Sequence, residues 1–87
     1  MVKDDEISVR VLFFGAARDA TGEAEASILA AAPASVRSLK ASLFSRYDKL
    51  FALRKGLMVA VNQEYADDTV AINDADVVAF LPPVSGG

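Results

Sequence analysis

The chain contains no cysteine and no histidine. The first absence excludes disulfides, thiolate metal ligands and a cysteine nucleophile. The second removes imidazole ligands and every Ser–His arrangement for nucleophilic catalysis. No apolar run approaches the ~20 residues that a membrane span requires. The first residues, MVKDDEIS, are charged and acidic rather than basic and then apolar, so they do not read as a secretory signal, and a cytoplasmic protein is expected. No phosphate-binding loop is present either: Gly15 and Gly22 flank AARDAT without the Gly-Lys-Ser/Thr ending that cradles a nucleotide. The chain is therefore not expected to bind and split ATP by itself, nor to be an enzyme alone. With 9 basic against 12 acidic residues and a formal charge of −3, it lacks the cationic excess selected by nucleic acids and anionic membranes. Neither is expected as a partner.

What is present fits one small domain over residues 1–87, with 53% hydrophobic residues, many of them alanine. A chain of this size folds alone but on a thin margin. The carboxylates fall in KDDE, EAE, YADDT and NDAD, patterns of turns and solvated edges rather than of a metal site. In ISVRVLFFG, Ile7, Val9, Val11 and Phe13 alternate with Ser8, Arg10, Leu12 and Phe14, the period of a strand. Its second face begins polar and ends apolar, on Leu12 and Phe14. AARDATG predicts a short helical turn stopped by Gly22, where glycine tolerates a left-handed backbone. EAEASILAA predicts a second strand, broken by Pro33.

Ser35 is the expected N-cap of the main helix, VRSLKASLFSRY. Val36, Leu39, Leu43 and Tyr47 recur at spacings of three and four, giving one apolar stripe with Arg37, Lys40 and Arg46 away from it. After the connector DKLFALRKG, LMVAV predicts a third strand with NQE as its turn. ADDTVAI predicts a short fourth strand, NDAD another tight turn, and VVAFL a last strand ended by Pro82 and Pro83, which cannot donate ladder hydrogen bonds. The order is ββαβββ, an α+β fold with a mixed sheet of four to five strands and one main helix packed across one face.

The last residues, 82–87, form an extended tail, PPVSGG. Four extended residues, Val84–Gly87, reach at most ~14 Å, at about 3.3–3.6 Å each. Glycine at positions 86 and 87 leaves no Cβ to block a narrow channel and permits backbone angles other residues avoid. The one group there with chemistry is the carboxylate of Gly87, ionised at neutral pH and hence a poor electrophile until activated. An ATP-using partner has to supply that activation. A frayed, inert terminus is the competing reading.

VRVLFFGAARDATG near the start and LMVAVNQEY…INDADVVAFLPPVSGG at the end resemble the small, sulfur-carrier subunits of molybdopterin synthase, over about residues 7–87. The resemblance implies the β-grasp, ubiquitin-like fold. It implies that an ATP-dependent activating enzyme adenylates Gly87 and that sulfur then replaces the adenylate to give a C-terminal thiocarboxylate. Pro83, Val84, Ser85 and Gly86 would enter the large subunit of the synthase, where sulfur passes to cyclic pyranopterin monophosphate and two transfers build the dithiolene of molybdopterin. The assembly it implies is a heterotetramer of two large and two small subunits. No cofactor or metal is bound stably; the adenylate and thiocarboxylate are transient, and the partner uses the ATP. Phe14, Arg18, Tyr65 and Leu81 match family positions that meet the partners, although Tyr65 stands where the family often has an aliphatic residue. For Phe14 and Leu81 the alternative is core packing. Rival readings are the sulfur carrier of thiamine thiazole synthesis, a ubiquitin-related modifier joined to lysines, and a ubiquitin-like domain that only binds.

Overall fold

The computed structural model describes residues 5–82. The expectations for Pro83, Val84, Ser85, Gly86 and Gly87 lie outside the described residues. Along the chain, β1 (Glu6–Phe13) leads through α1 (Gly15–Thr21) to β2 (Glu25–Ala31) and the two-residue β3 (Ala34–Ser35). The helices α2 (Val36–Arg46) and α3 (Asp48–Phe51) follow, then β4 (Met58–Val61), β5 (Glu64–Tyr65), β6 (Ala71–Ile72) and β7 (Val77–Leu81). The main sheet has five strands in the order β2-β1-β7-β4-β5. At its centre β1 and β7 run parallel, while the other pairs are antiparallel. A parallel pair needs a crossover, and the helical segment between them supplies it.

The alternation in β1 turns Val9, Val11 and Phe13 inward, where they meet Val78 and Phe80 of β7 and Ile28 of β2. From the other side Val36, Leu39 and Leu43 of α2, with Ala17 of α1 and Leu50 of α3, close the core. The expected stripe is therefore buried, and Tyr47 lies half-buried at its end, edge-on to Phe13 at 5.9 Å. Ser35 caps α2 as expected: its Oγ accepts from the Ser38 N–H at 3.2 Å, and Ser38 Oγ accepts from the Ser35 N–H at 2.9 Å. That reciprocal pair satisfies the first orphan donors of the helix.

Two strands differ from expectation. The fourth strand is reduced to Ala71–Ile72 and pairs with Ala34–Ser35 in a separate two-stranded sheet. Its place at the edge of the main sheet is taken by Glu64–Tyr65. Asn62 and Gln63 both have positive φ, 50° and 74°, so the chain folds back in two residues and Glu64 pairs at once with Val61. A two-residue turn of this hand matches the twist of the strands it joins.

Candidate functional site

The outer face of the sheet, away from the helices, is built from the residues that alternate with the core. On β1 these are Ser8, Arg10 and Leu12, and on β7 Val77, Ala79 and Leu81. Register then decides what they make. Leu12 lies beside Ala79, Ala79 beside Ala60, Ala60 beside Tyr65, and Leu81 beside Met58. Small side chains, Ala60 and Ala79, thus occupy the middle, with Leu12, Phe14, Tyr65 and Leu81 around them. The result is a shallow apolar depression of about 370 Å³.

Phe14 stands just past the end of β1, at the N-cap of α1, in extended conformation. Its N–H donates to the Phe80 carbonyl at 3.0 Å, which fixes the backbone, while 45% of the residue stays exposed. Tyr65, on the edge strand, is 68% exposed. Leu81 is half-buried. The structure therefore brings Phe14, Tyr65 and Leu81 together on the outer face, and the core-packing alternative for Phe14 and Leu81 does not hold. Arg18 is one turn further along α1, exposed, its N–H donating to the Phe14 carbonyl at 3.3 Å. It does not line the depression.

The polar flank of this face is held by Arg10, whose Nε and Nη2 reach the two carboxylate oxygens of Glu25 at 3.1 Å each. The hydrogen bonds to Arg10, and then its charge, hold the Glu25 carboxyl below its ordinary value, and Arg10 is raised in turn. Both side chains are more than half exposed, so the pair orients the surface rather than stabilising the fold. On the helix side, burial and then the hydrogen bond to Glu23 push the Tyr47 phenol up. Its hydroxyl donates to Glu23 Oε2 at 2.9 Å. Among the described residues no three acidic side chains converge as a metal site, and no helix is long and apolar enough to cross a membrane.

Sequence reasoning did not single out Ala60 and Ala79, because the floor of the depression exists only through pairing register. It also did not single out Gly15. That residue has φ +52°, and a Cβ there would stand 3.0 Å from Cγ of Pro82. The side chain's absence lets the chain leaving β7 lie against the start of α1. No local sequence signal marks that approach.

The described face offers a shallow apolar hollow that fits an apolar protrusion of another protein. The family model described as the ThiS family matches residues 11–87. A molybdopterin synthase sulfur carrier subunit of Escherichia coli is 37% identical over 81 residues, covering 91% of this chain and 99% of that protein. Among solved structures, subunit 1 of a molybdopterin converting factor from Pyrococcus furiosus superimposes with a TM-score of 0.82 at 28% identity, over 90% of this chain and 99% of that one. A complex of subunits 1 and 2 of the molybdopterin-converting factor from Helicobacter pylori matches with a TM-score of 0.68 at 28% identity, over 93% of this chain and 100% of that one.

Proposed function

We propose, from the premise that this chain belongs to the ThiS family, that it works as a carrier whose chemical group is the carboxylate of Gly87. The protein has the ubiquitin-like β-grasp fold and is a sulfur carrier of molybdenum cofactor biosynthesis. The observation that supports the chemical reading most directly is the geometry at the end of β7. Leu81 sits in the apolar depression, and the next residues are the Pro82-to-Gly87 tail. A partner seated on that face would meet the chain where it leaves β7.

The steps follow from the chemistry of a carboxylate. With an unperturbed pKa of about 3.3–3.7 the terminal group is an anion and resists attack. One of its oxygens attacks the α-phosphorus of ATP in an activating enzyme, and pyrophosphate leaves. Hydrosulfide, HS⁻, then attacks the acyl carbon, the C–O bond to phosphate breaks, AMP leaves and the proton on sulfur goes to water, so that the terminus becomes a thiocarboxylate. The loaded carrier binds the large subunit of molybdopterin synthase through Phe14, Tyr65 and Leu81, with Arg18 at the border, and inserts Pro83, Val84, Ser85 and Gly86. Sulfur passes to cyclic pyranopterin monophosphate, and two such transfers give the dithiolene. Catalytic side chains belong to the partners, which suits a chain without histidine or cysteine. The working assembly is a heterotetramer with two large subunits at its centre, in the cytoplasm.

Tail variants test this reading. Deleting Gly87, or adding one residue after it, moves the reactive carbon by about 3.3–3.6 Å. Misplacement by even ~1 Å can cost ~100-fold in rate. Both variants are expected to melt as the parent chain does and to lose sulfur loading or transfer in a reconstituted synthesis. Gly86→Val is expected to fail as well, because it puts a branched side chain in the channel. Full molybdopterin synthesis by any of the three overturns the assignment of Gly87.

A further inference from the structure

The cations of this acidic chain are not spread evenly. Arg10 is paired with Glu25, and Arg37 and Lys40 with Asp68. Arg18, Arg46, Lys49, Arg54 and Lys55 have no carboxylate within ion-pair distance among the described residues. They all belong to α1, the last turn of α2, α3 or the segment just after it, and α1 packs against α3. The same elements carry Asp19 and Asp48 as acids, and Glu23, just past α1, reaches them through the Tyr47 hydroxyl, so five cations stand against three acids. Glu64, Asp74 and Asp76 gather at the other end of the sheet, where the Ser8 N–H donates to Asp74 and the Asn62 amide to Asp76. Since β1 and β7 run parallel, that end is where both strands begin, and Pro82 leaves from where they finish. The molecule is electrically polarised along its central strands, positive at the root of the tail.

Two of these cations flank a groove. Arg54 and Lys55, with Ala16, Leu53, Leu57 and Pro82, line a hollow of about 490 Å³. Arg54 is held in place: its guanidinium lies 4.1 Å over the Phe51 ring and its Nη1 donates to the Phe51 carbonyl at 3.1 Å. Phe51 is braced edge-on by Phe44 at 5.7 Å. A cation fixed in this way loses little side-chain freedom on docking. Ala16 and Pro82 of this groove follow Phe14 and Leu81 of the apolar depression by two residues and by one.

We infer that this end of the molecule, centred on Arg54 and Lys55, steers and docks the carrier onto the negatively charged mouth of the ATP-loaded activating enzyme. The inference rests on the carrier reading above. In the activation step an anionic terminus of a chain with charge −3 must approach the polyanion ATP, which repels it. The Debye length is about 8 Å at physiological salt, so only charges near the contact act strongly, and those at the tail root are positive. Charge at the rim raises the association rate without slowing release, which a carrier passing between two partners requires.

The test is stopped-flow association of the full chain with the activating enzyme loaded with ATP and Mg²⁺, over a series of salt concentrations. Arg54→Glu/Lys55→Glu is expected to lower the association rate constant about tenfold or more at low salt, within the range of electrostatic steering. The difference should shrink toward 1 M salt, where the Debye length is about 3 Å. Arg54→Gln/Lys55→Gln, a milder change to the same exposed sites, is expected to fall between. Arg37→Glu, whose cation is already paired with Asp68, should leave the rate unchanged. If the parent chain associates and both double variants match it within twofold at low salt, the inference is wrong and the carrier reading stands. It is equally wrong if charge reversal slows only association with the large subunit. A parent chain that does not associate with the activating enzyme at all overturns the carrier reading together with the inference.

Discussion

Phe14 and Leu81 differ from the buried aromatics of the core in what surrounds them. Phe13 and Phe80, their immediate neighbours in sequence, are 1% and 0% exposed and pack on each other at 6.0 Å. One step along each strand the side chain turns to the other face of the sheet, and an apolar residue there contributes little to folding. Phe14→Glu is therefore expected to change stability by no more than about 0.5 kcal/mol, as is usual for surface positions. Binding is another matter, since a charge placed in an apolar contact is left without its water or a partner. Phe14→Glu and Leu81→Glu are each expected to weaken association with the large subunit by about 2 kcal/mol or more, roughly 30-fold in Kd. Titration calorimetry with the purified large subunit measures this, and affinities within threefold of the parent chain for both variants would refute the docking face. Phe14 was legible in the sequence, because it stands on the face of its strand that alternates with the core, whereas Leu81 was singled out only through the family resemblance. Their meeting with Tyr65 over Ala60 and Ala79 was not legible, since it follows from pairing between strands distant in the chain.

At the scale of elements, α2 closes the core from the helix side with Val36, Leu39 and Leu43. Leu39 and Leu43 are 1% and 0% exposed, in the middle of its buried stripe. Leu39→Ala or Leu43→Ala is expected to cost about 2–5 kcal/mol, from lost apolar contact and the cavity left behind. Whole domains are stable by only about 5–15 kcal/mol, so either variant removes a large share. Urea unfolding followed by circular dichroism gives the value; a loss under 1 kcal/mol for both would mean that the helix does not form the core as described. This helix, its serine cap and the long strands were readable because each carries a clear period or a local capping pattern. The edge strand Glu64–Tyr65 and the small sheet of Ala34–Ser35 with Ala71–Ile72 were not. Two residues are too few to show a period; the turn itself was expected from NQE and falls at Asn62 and Gln63, but nothing local marked Glu64 as already paired.

Across the whole molecule, one sheet serves two purposes. Its inner face, against the helices, holds the fold together, and its outer face ends at the root of the tail in apolar surface, with the cations on the helical side of the same end. On the proposed reading the reactive group is at Gly87 and the catalysts are in other proteins. The fold is the device that presents the end of the chain. Intact-mass spectrometry of the chain after incubation with the activating enzyme, ATP and a sulfur source tests that claim most directly. The account predicts a mass increase equal to the exchange of one oxygen for one sulfur, located by fragmentation at Gly87 and reversed on addition of the large subunit with cyclic pyranopterin monophosphate. An unchanged mass under conditions that load a known carrier, or sulfur found anywhere but Gly87, would contradict it.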